Sequence, residues 1–331
     1  MKVTIKDIAE MAGVSISTVS RVINDSKPVN EDVRKRVLEA MKQTNYRANT
    51  LLTTIVHNDS SLIGVIIPEF SNTVLTELVE GMNKIAKLYG YDVVISLTDG
   101  TLENELHYLQ QFRSLSVNGV IFVGSQLDEK HLTILKEADI PCVAAGQISD
   151  IPSIPSVHVD NITASYEAVK YLIQKGHRKI AMMKGPGDMA VGGHRFKGYQ
   201  QALMDASLLL QKEWVVESGI SLEDGITAMK QIAESSSMPT AVFCATDSMA
   251  IGAMNYLIDH GYRIPEDVSV FGFDGSLMSR IVRPKLSTVD YSAMEMGMTA
   301  TRSLIKLIKG ERVNPQHYNV THHLAIREST K

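Results

Sequence analysis

Cysteine is nearly absent: the 331 residues include two, Cys142 and Cys244. Each sits in an apolar run, IPCVAA and AVFCA, without a CxxC or Cys/His spacing. A zinc-built domain is therefore excluded, and both thiols read as buried structural groups. No stretch approaches the roughly 18 apolar residues that cross a membrane. The N-terminus, MKVTIKDIAE, lacks the apolar core of a secretion signal. The expected location is the cytoplasm, with no membrane partner. Gly185-Pro186-Gly187 resembles a phosphate loop only superficially, because no Lys-Ser/Thr pair follows it. His322 and His323 are adjacent, so on a strand they point to opposite faces and cannot grip one metal ion. No nucleophile–base pair stands out. An enzyme, a cofactor and a metal are accordingly not expected.

Apolar residues make up 44% and charged residues 21%, enough to bury a core. The length is too great for one ordinary core and suggests two or three folding units. The net charge of −4 argues against a protein that coats nucleic acid throughout. The charge is uneven, however. Residues 1–58 carry nine Lys/Arg and six Asp/Glu, whereas the remainder carries 24 against 31. A small basic head on an acidic body fits a head that binds a polyanion.

Residues 1–47 read as a bundle of short helices. Ile8, Ala9 and Ala12 recur at helical spacing before Gly13. Ser15 can cap a second helix, with Val19, Val22 and Ile23 facing inward. Asn30 can cap a third, with Val33, Val37, Leu38 and Met41 on one face. Two short helices across a Gly-containing turn form a helix-turn-helix. Residues 48–60 carry no strong pattern and read as a linker.

From residue 61 the pattern changes. LIGVIIP, YDVVISLT, GVIFVG and PCVAAG are strand-like runs separated by amphipathic helices. The alternation restarts after residue 161 with KIAMMKG, EWVVES, AVFCATD and DVSVFGFD. Such repeats build parallel sheets, and two series suggest two similar lobes. The expected fold is α/β: an all-α helix-turn-helix headpiece and a two-lobed core of doubly wound parallel sheets. A ligand belongs at the strand C-terminal ends facing a cleft between the lobes.

The constellation VTIKDIAEMAGVSISTVSRVINDS carries the chemistry of DNA reading. A recognition helix needs an exposed first turn that reaches base edges. Ile16, Ser17 and Arg21 occupy those positions. Arg can pair bidentately with guanine, Ser can bond several base edges, and Ile can pack on a thymine methyl. Thr4, Ser15 and Thr18 can bond phosphates.

These residues resemble the lactose-repressor/galactose-repressor family of bacterial transcription regulators. The resemblance runs through NYR.N, IGVIIPEFSN, KGHRKIAM, Arg195 with GYQQAL, TAVFCATDSMAIGA, IPEDVSVFGFD, RPKLSTVD and IREST. It implies a headpiece at 1–47 and a hinge at 48–60. It further implies an N-lobe at 61–161 and 291–320, a C-lobe at 162–290, and a C-terminal strand and tail at 321–331. The core would resemble periplasmic sugar-binding proteins, and the chain would cross between the lobes three times.

The same resemblance implies the partners: double-stranded operator DNA, a second copy of the chain, and a sugar or sugar phosphate. No leucine-heptad tail follows IRESTK, so a dimer is expected. Some relatives instead answer to a phosphorylated carrier protein, and a solute-binding protein or an enzyme would be the readings of another class. The DNA-facing set implied is Thr4, Ser15, Ile16, Ser17, Thr18, Arg21, Asn24, Asn30, Tyr46, Asn49 and Ile55. In the family the hinge wedges an apolar residue into the minor groove, and Ile55 falls at that position. Thr53 replaces the family's Arg there. The effector set implied is Phe70, Ser71, Asn72, Gln126, Gln147, Arg195, Ile220, Asp247 and Asp274. Asp274 and Arg195 would bind the effector's hydroxyls or polar edges. Asp247 either lines the cleft or caps the helix it begins. Ile220 replaces a stacking aromatic, which argues against a simple hexose.

Overall fold

A computed structural model describes residues 4–24, 28–44, 61–70, 73–186 and 190–331. It divides into two units, residues 1–61 and 62–331.

In the first unit, α1 (Ile5–Ala12), α2 (Ile16–Asn24) and α3 (Glu31–Gln43) enclose a core of Ile8, Ala9, Ala12, Val19, Val22, Val37 and Ala40. Thr4 and Asp7 form a reciprocal capping box at the start of α1. Gly13 ends that helix with φ 63°, a left-handed turn that glycine adopts without the steric cost of a Cβ. It turns the chain directly into Ser15, whose hydroxyl accepts from the Thr18 N–H at 3.2 Å. Asn30 caps α3 by accepting from Asp32 N–H. Leu38 departs from expectation and is 52% exposed. Each residue advances about 100° around a helix, so with Val37 facing inward Leu38 turns aside. Ala40 takes the inner position one turn on.

The second unit holds two six-stranded sheets. In the first, β1 (Leu62–Ile67), β2 (Asp92–Leu97), β3 (Gly119–Phe122), β4 (Cys142–Ala145), β5 (Ser156–His158) and β11 (His317–Asn319) lie in the order β11-β5-β4-β3-β1-β2, all parallel. In the second, β6 (Ile180–Lys184), β7 (Val215–Glu217), β8 (Ala241–Cys244), β9 (Ser269–Asp274), β10 (Ser287–Tyr291) and β12 (His322–Ala325) lie in the order β12-β10-β9-β8-β6-β7. Here β12 alone runs antiparallel, against β10. The central strands are wholly buried, as parallel strands covered by helices on both faces must be.

Helices α4 (Thr73–Leu88), α5 (Leu102–Ser114), α6 (Glu129–Glu137) and α12 (Ala293–Ile308) cover the first sheet. The second is covered by α7 (Asn161–Gln174), α8 (Ala190–Asp205), α9 (Leu222–Ala233) and α10 (Asp247–Asp259). A short helix, α11 (Leu277–Ile281), follows β9. The chain passes between sheets after β5, after β10 and after β11. Both cysteines are buried, and burial pushes the Cys142 thiol up to about 12. Among the described residues no helix is long and apolar enough to cross a membrane.

Candidate functional site

The headpiece presents a polar and apolar face on α2. Val19 and Val22 sit in the core, which turns Ile16, Ser17 and Arg21 outward. Ile16 is 47% exposed, an arrangement the small core does not need. Ser15, Ser17 and Thr18 form a chain of hydroxyl contacts at 2.8 Å. These hydroxyls can re-aim toward phosphates or base edges without breaking a buried bond. The Thr4 hydroxyl is engaged with Asp7 at 2.8 Å. The side chain of Asn24, and all of Tyr46, Asn49 and Ile55, lie outside the described residues.

The second site is a cavity of about 90 Å³ at the strand C-terminal ends of both sheets. Four expected residues meet there: Gln147, Arg195, Ile220 and Asp274. Pro68, Val74, Leu75, Leu78, Tyr291 and Met296 join them. Tyr291 could have been found in the sequence, since it ends the strand STVDY as Asp274 ends its own. The α4 residues read from sequence as ordinary core positions of an amphipathic helix.

Arg195 donates one hydrogen bond from each of its three nitrogens. Its Nε donates to Asn161 Oδ1 at 3.0 Å, and Nη2 donates to Asp274 Oδ1 at 3.1 Å. Nη1 donates to the Ala245 carbonyl. The guanidinium lies 3.5 Å from the Phe273 ring centroid, a cation–π contact in a desolvated setting. Tyr291 donates its hydroxyl to Asp274 Oδ1 at 3.2 Å. Burial, with the Asp274 charge beside it, holds that phenol well above its ordinary pKa. Asp274 itself has φ 119°, a conformation that L side chains rarely adopt. Strain of that kind costs about 1–3 kcal/mol and persists where surrounding bonds dictate the backbone.

Asp247 requires a correction. Thr246 is the cap of α10, accepting from Met249 N–H at 3.1 Å. The Asp247 carboxylate points elsewhere. It accepts from Ser276 N–H at 2.7 Å and from the hydroxyls of Ser276 and Thr288 at 2.8 and 2.6 Å. It thus binds the turn after β9 to β10 and does not line the cavity. Burial, reinforced by the Asp274 charge, pushes its pKa up. Gln126 is exposed and donates to Asp150, and Phe70 is 45% exposed; neither lines the cavity. Ser71 and Asn72 lie outside the described residues.

A buried polar network lies behind the cavity wall. Glu105 accepts from Ser125 N–H at 3.0 Å and from Ser125 Oγ at 2.6 Å. Its Oε2 also meets His131 Nε2 at 3.2 Å, while His131 Nδ1 meets Asp128 at 2.7 Å. Burial alone would push Glu105 up, but bonds from His131 and Ser125 outweigh it and leave the carboxyl below its ordinary value. Burial likewise opposes the charged form of His131, and its two carboxylate partners overcome that and raise it. Sequence reasoning missed this network, because Glu105 reads as a surface position in a polar helix. No cluster suited to a metal occurs among the described residues.

Comparison with known proteins places both units. Residues 4–49 match the bacterial regulatory proteins of the lacI family, and residues 60–328 match the periplasmic binding proteins and sugar binding domain of the LacI family. The chain is 35% identical to catabolite control protein A of Priestia megaterium over 332 residues, covering 100% of both. It is similar to the transcriptional regulator CelR in its cellobiose complex (29% identity, TM-score 0.76, 99% of each chain covered). It is also similar to the lac repressor dimer bound to operator and the anti-inducer ONPF (27% identity, TM-score 0.76, 100% of this chain and 99% of that one). With an exposed reading helix and a two-lobed ligand core on one polypeptide, the chain belongs to the LacI family of bacterial transcriptional regulators.

Proposed function

We propose that this regulator is a cytoplasmic, nucleoid-associated repressor that binds a pseudo-palindromic operator as a homodimer. One α2 reads each half-site, with Ile16, Ser17 and Arg21 at the bases and Thr4, Ser15, Thr18 and Asn30 toward the backbone. Asn24, Tyr46, Asn49 and Ile55 complete the DNA-facing set, Ile55 as the minor-groove wedge. The observation that carries this reading is the outward face of α2, where a large aliphatic side chain stands exposed beside an exposed arginine. A small metabolite, a sugar or a related polar compound, binds in the cavity against Arg195, Asp274, Gln147 and Ile220. Phe70, Ser71, Asn72, Gln126 and Asp247 complete the effector set that the family resemblance implies. Residues 61–161 with 291–320 act as one lobe, and 162–290 as the other. The ligand is bound and released unchanged, without cofactor or turnover. By linkage, an effector that weakens operator binding binds the DNA-bound form more weakly by the same factor.

The test is a titration of a fluorescent operator library, with symmetric half-sites around a central CpG, at two salt concentrations and with a sugar panel. Nanomolar binding with a steep salt slope, relaxed by Arg21→Ala, supports the reading. A shallow slope without sequence preference refutes it. Light scattering that gives the mass of four chains refutes the dimer.

One observation favours a second mode of control. The exposed sides of α4 and α12 carry Lys84, Lys87, Arg302 and Lys306, and Lys309 caps α12. Glu80 pairs with Lys84 at 2.9 Å on the same face. Such a basic face fits an acidic or phosphorylated protein partner, in keeping with the likeness to a catabolite control protein. If DNA binds well and no small molecule matters, pull-down with phosphorylated carrier protein decides it.

A further inference from the structure

Asp247 does not line the cavity, yet its bonds converge on a residue that does, Asp274. Asp274 ends β9 with φ 119°, and Gly275 follows with φ 68°. The first of these angles strains any residue with a Cβ, so neighbouring groups must impose it. The bonds from Arg195 and Tyr291 end on the Asp274 carboxylate and leave its backbone to be fixed by other groups.

Both amides that follow Asp274 are tied to one carboxylate. Ser276 N–H donates to Asp247 Oδ2 at 2.7 Å, and Ser276 Oγ donates to the same oxygen at 2.8 Å. Gly275 N–H donates to Thr288 Oγ1 at 3.3 Å, and that hydroxyl donates onward to Asp247 Oδ1 at 2.6 Å. The Gly275 amide belongs to the peptide plane that sets ψ of Asp274, so fixing it fixes the direction of the chain there. Asp247 is 1% exposed, and water does not compete for these bonds.

The strand makes room for this arrangement. A Cβ at Gly272 would collide with Asp247 Oδ1, so glycine admits the carboxylate to β9. A Cβ at Gly275 would collide with Asp290 Oδ1, which walls the turn on its other side. Asp290 lies opposite Asp274 in the register of β9 and β10 and pairs with Arg280 at 3.3 Å. Asp247, by contrast, is met by neutral donors. Burial first, and the Asp274 charge second, push its pKa up. A buried carboxylate beside a second one is a poor choice for stability alone.

Taking the effector reading of the cleft as given, we propose that Asp247 is a positioning residue for Asp274: through Ser276 and Thr288 it imposes the turn that aims the Asp274 carboxylate at Arg195, Tyr291 and the cavity. It does so without touching the ligand.

The deciding test needs no ligand. It is a double-mutant cycle between Arg195→Met and Asp274→Asn, read by denaturant unfolding of the core in the full chain. The coupling of that pair is measured with Asp247 in place and again with Asp247→Ala. Loss of aim should cut the coupling to about half or less. Asp247→Asn should restore most of it, because its oxygen can accept from Ser276 while its amide donates to the Thr288 hydroxyl. Ser287→Ala, at the far end of β10, removes a hydroxyl that accepts from Arg327 N–H at 2.8 Å. It should lower stability and leave the coupling whole, which separates aim from stability. If Asp247→Ala does not fold, Thr288→Val breaks the Gly275 arm alone and should weaken the coupling in the same sense. In the operator titration with the sugar panel, Asp247→Ala should raise the half-maximal sugar concentration about tenfold and leave operator affinity without sugar unchanged. A coupling indifferent to Asp247→Ala and Thr288→Val, or reduced as much by Ser287→Ala, overturns the proposal. A broken coupling with an unchanged sugar requirement confines Asp247 to the fold and overturns its role toward the effector. If the coupling breaks but no sugar shifts operator affinity, the effector reading of the cleft fails and the hold of Asp247 on Asp274 stands.

Discussion

In the headpiece, Ile16, Ser17 and Arg21 stand in water above a core of small and branched side chains. In the cleft, Arg195, Asp274 and Gln147 are almost wholly buried, and the first two are bonded to each other. Water therefore competes for the first set and not for the second. An exposed arginine is held in readiness for a partner and adds little to the fold. A buried one is part of the fold, since its charge cannot be left without its counter-charge. The same residue type should consequently report on function in one unit and on stability in the other.

Arg195→Ala should give the largest effect. It leaves Asp274 buried, charged and on a strained backbone. Loss of one partner of a buried pair costs about 3–5 kcal/mol. Denaturant unfolding of the second unit should show that loss, while the headpiece transition stays put. A change below about 1 kcal/mol would mean that water enters the cleft and solvates Asp274.

Ile8→Ala should come next and separate the two units by size. Ile8 is fully buried in the headpiece. Removing such a side chain costs about 2–5 kcal/mol. A unit of this size has little stability to lose. The headpiece should therefore melt outright and operator binding vanish, with effector binding intact. Leu78→Ala, a comparable truncation in the larger unit, should lower its melting temperature and leave it folded. Scanning calorimetry of both variants checks the contrast.

Arg21→Ala should cost about 1–3 kcal/mol of operator affinity, the range of a bidentate base contact. It should change headpiece stability by less than about 0.5 kcal/mol, as exposed substitutions do. An equal loss on operator and on random DNA would reassign Arg21 from base reading to phosphate contact.

How much of this was legible depends on which residues announce themselves. The headpiece helices were readable because their caps and stops, Gly13, Ser15 and Asn30, are local signals, whereas the capping box of Thr4 with Asp7 was not read. The sheets were readable because parallel strands buried on both faces become unbroken apolar runs. Arg195 and Asp274 were found through family resemblance, and the cavity brings them together. Asp247 was misplaced because one position decides whether a residue caps a helix or begins it, and sequence does not resolve that step. Leu38 failed for the same reason on a helix face. Glu105 and His131 were invisible, since what pairs them is a contact between residues 26 apart in sequence. A glutamate in a polar helix normally faces water, and only the fold shows that this one does not.

That hidden pair gives the smallest and sharpest contrast, because it makes one unit sensitive to pH through a histidine, which the described headpiece residues lack. His131 has its pKa raised in the folded chain. Its stabilising contribution is thus fully present below the unfolded value near 6.5 and is lost as pH rises through the folded value. Glu105 has its pKa lowered. Its contribution is present above the unfolded value near 4.5 and is lost as pH falls through the folded one. Both act together between those unfolded values, so stability from this network should be greatest in mildly acidic solution. It should decline as the solution becomes alkaline. Histidine is absent from the described headpiece residues, which should show no such decline. Melting temperatures of the wild type and of His131→Gln, measured across that range, isolate the network from other titrating groups. The difference between the two proteins should narrow above the folded pKa of His131. A constant difference at every pH would mean that His131 stays neutral and serves only as a packed hydrogen-bonding ring against Phe122, 5.3 Å away.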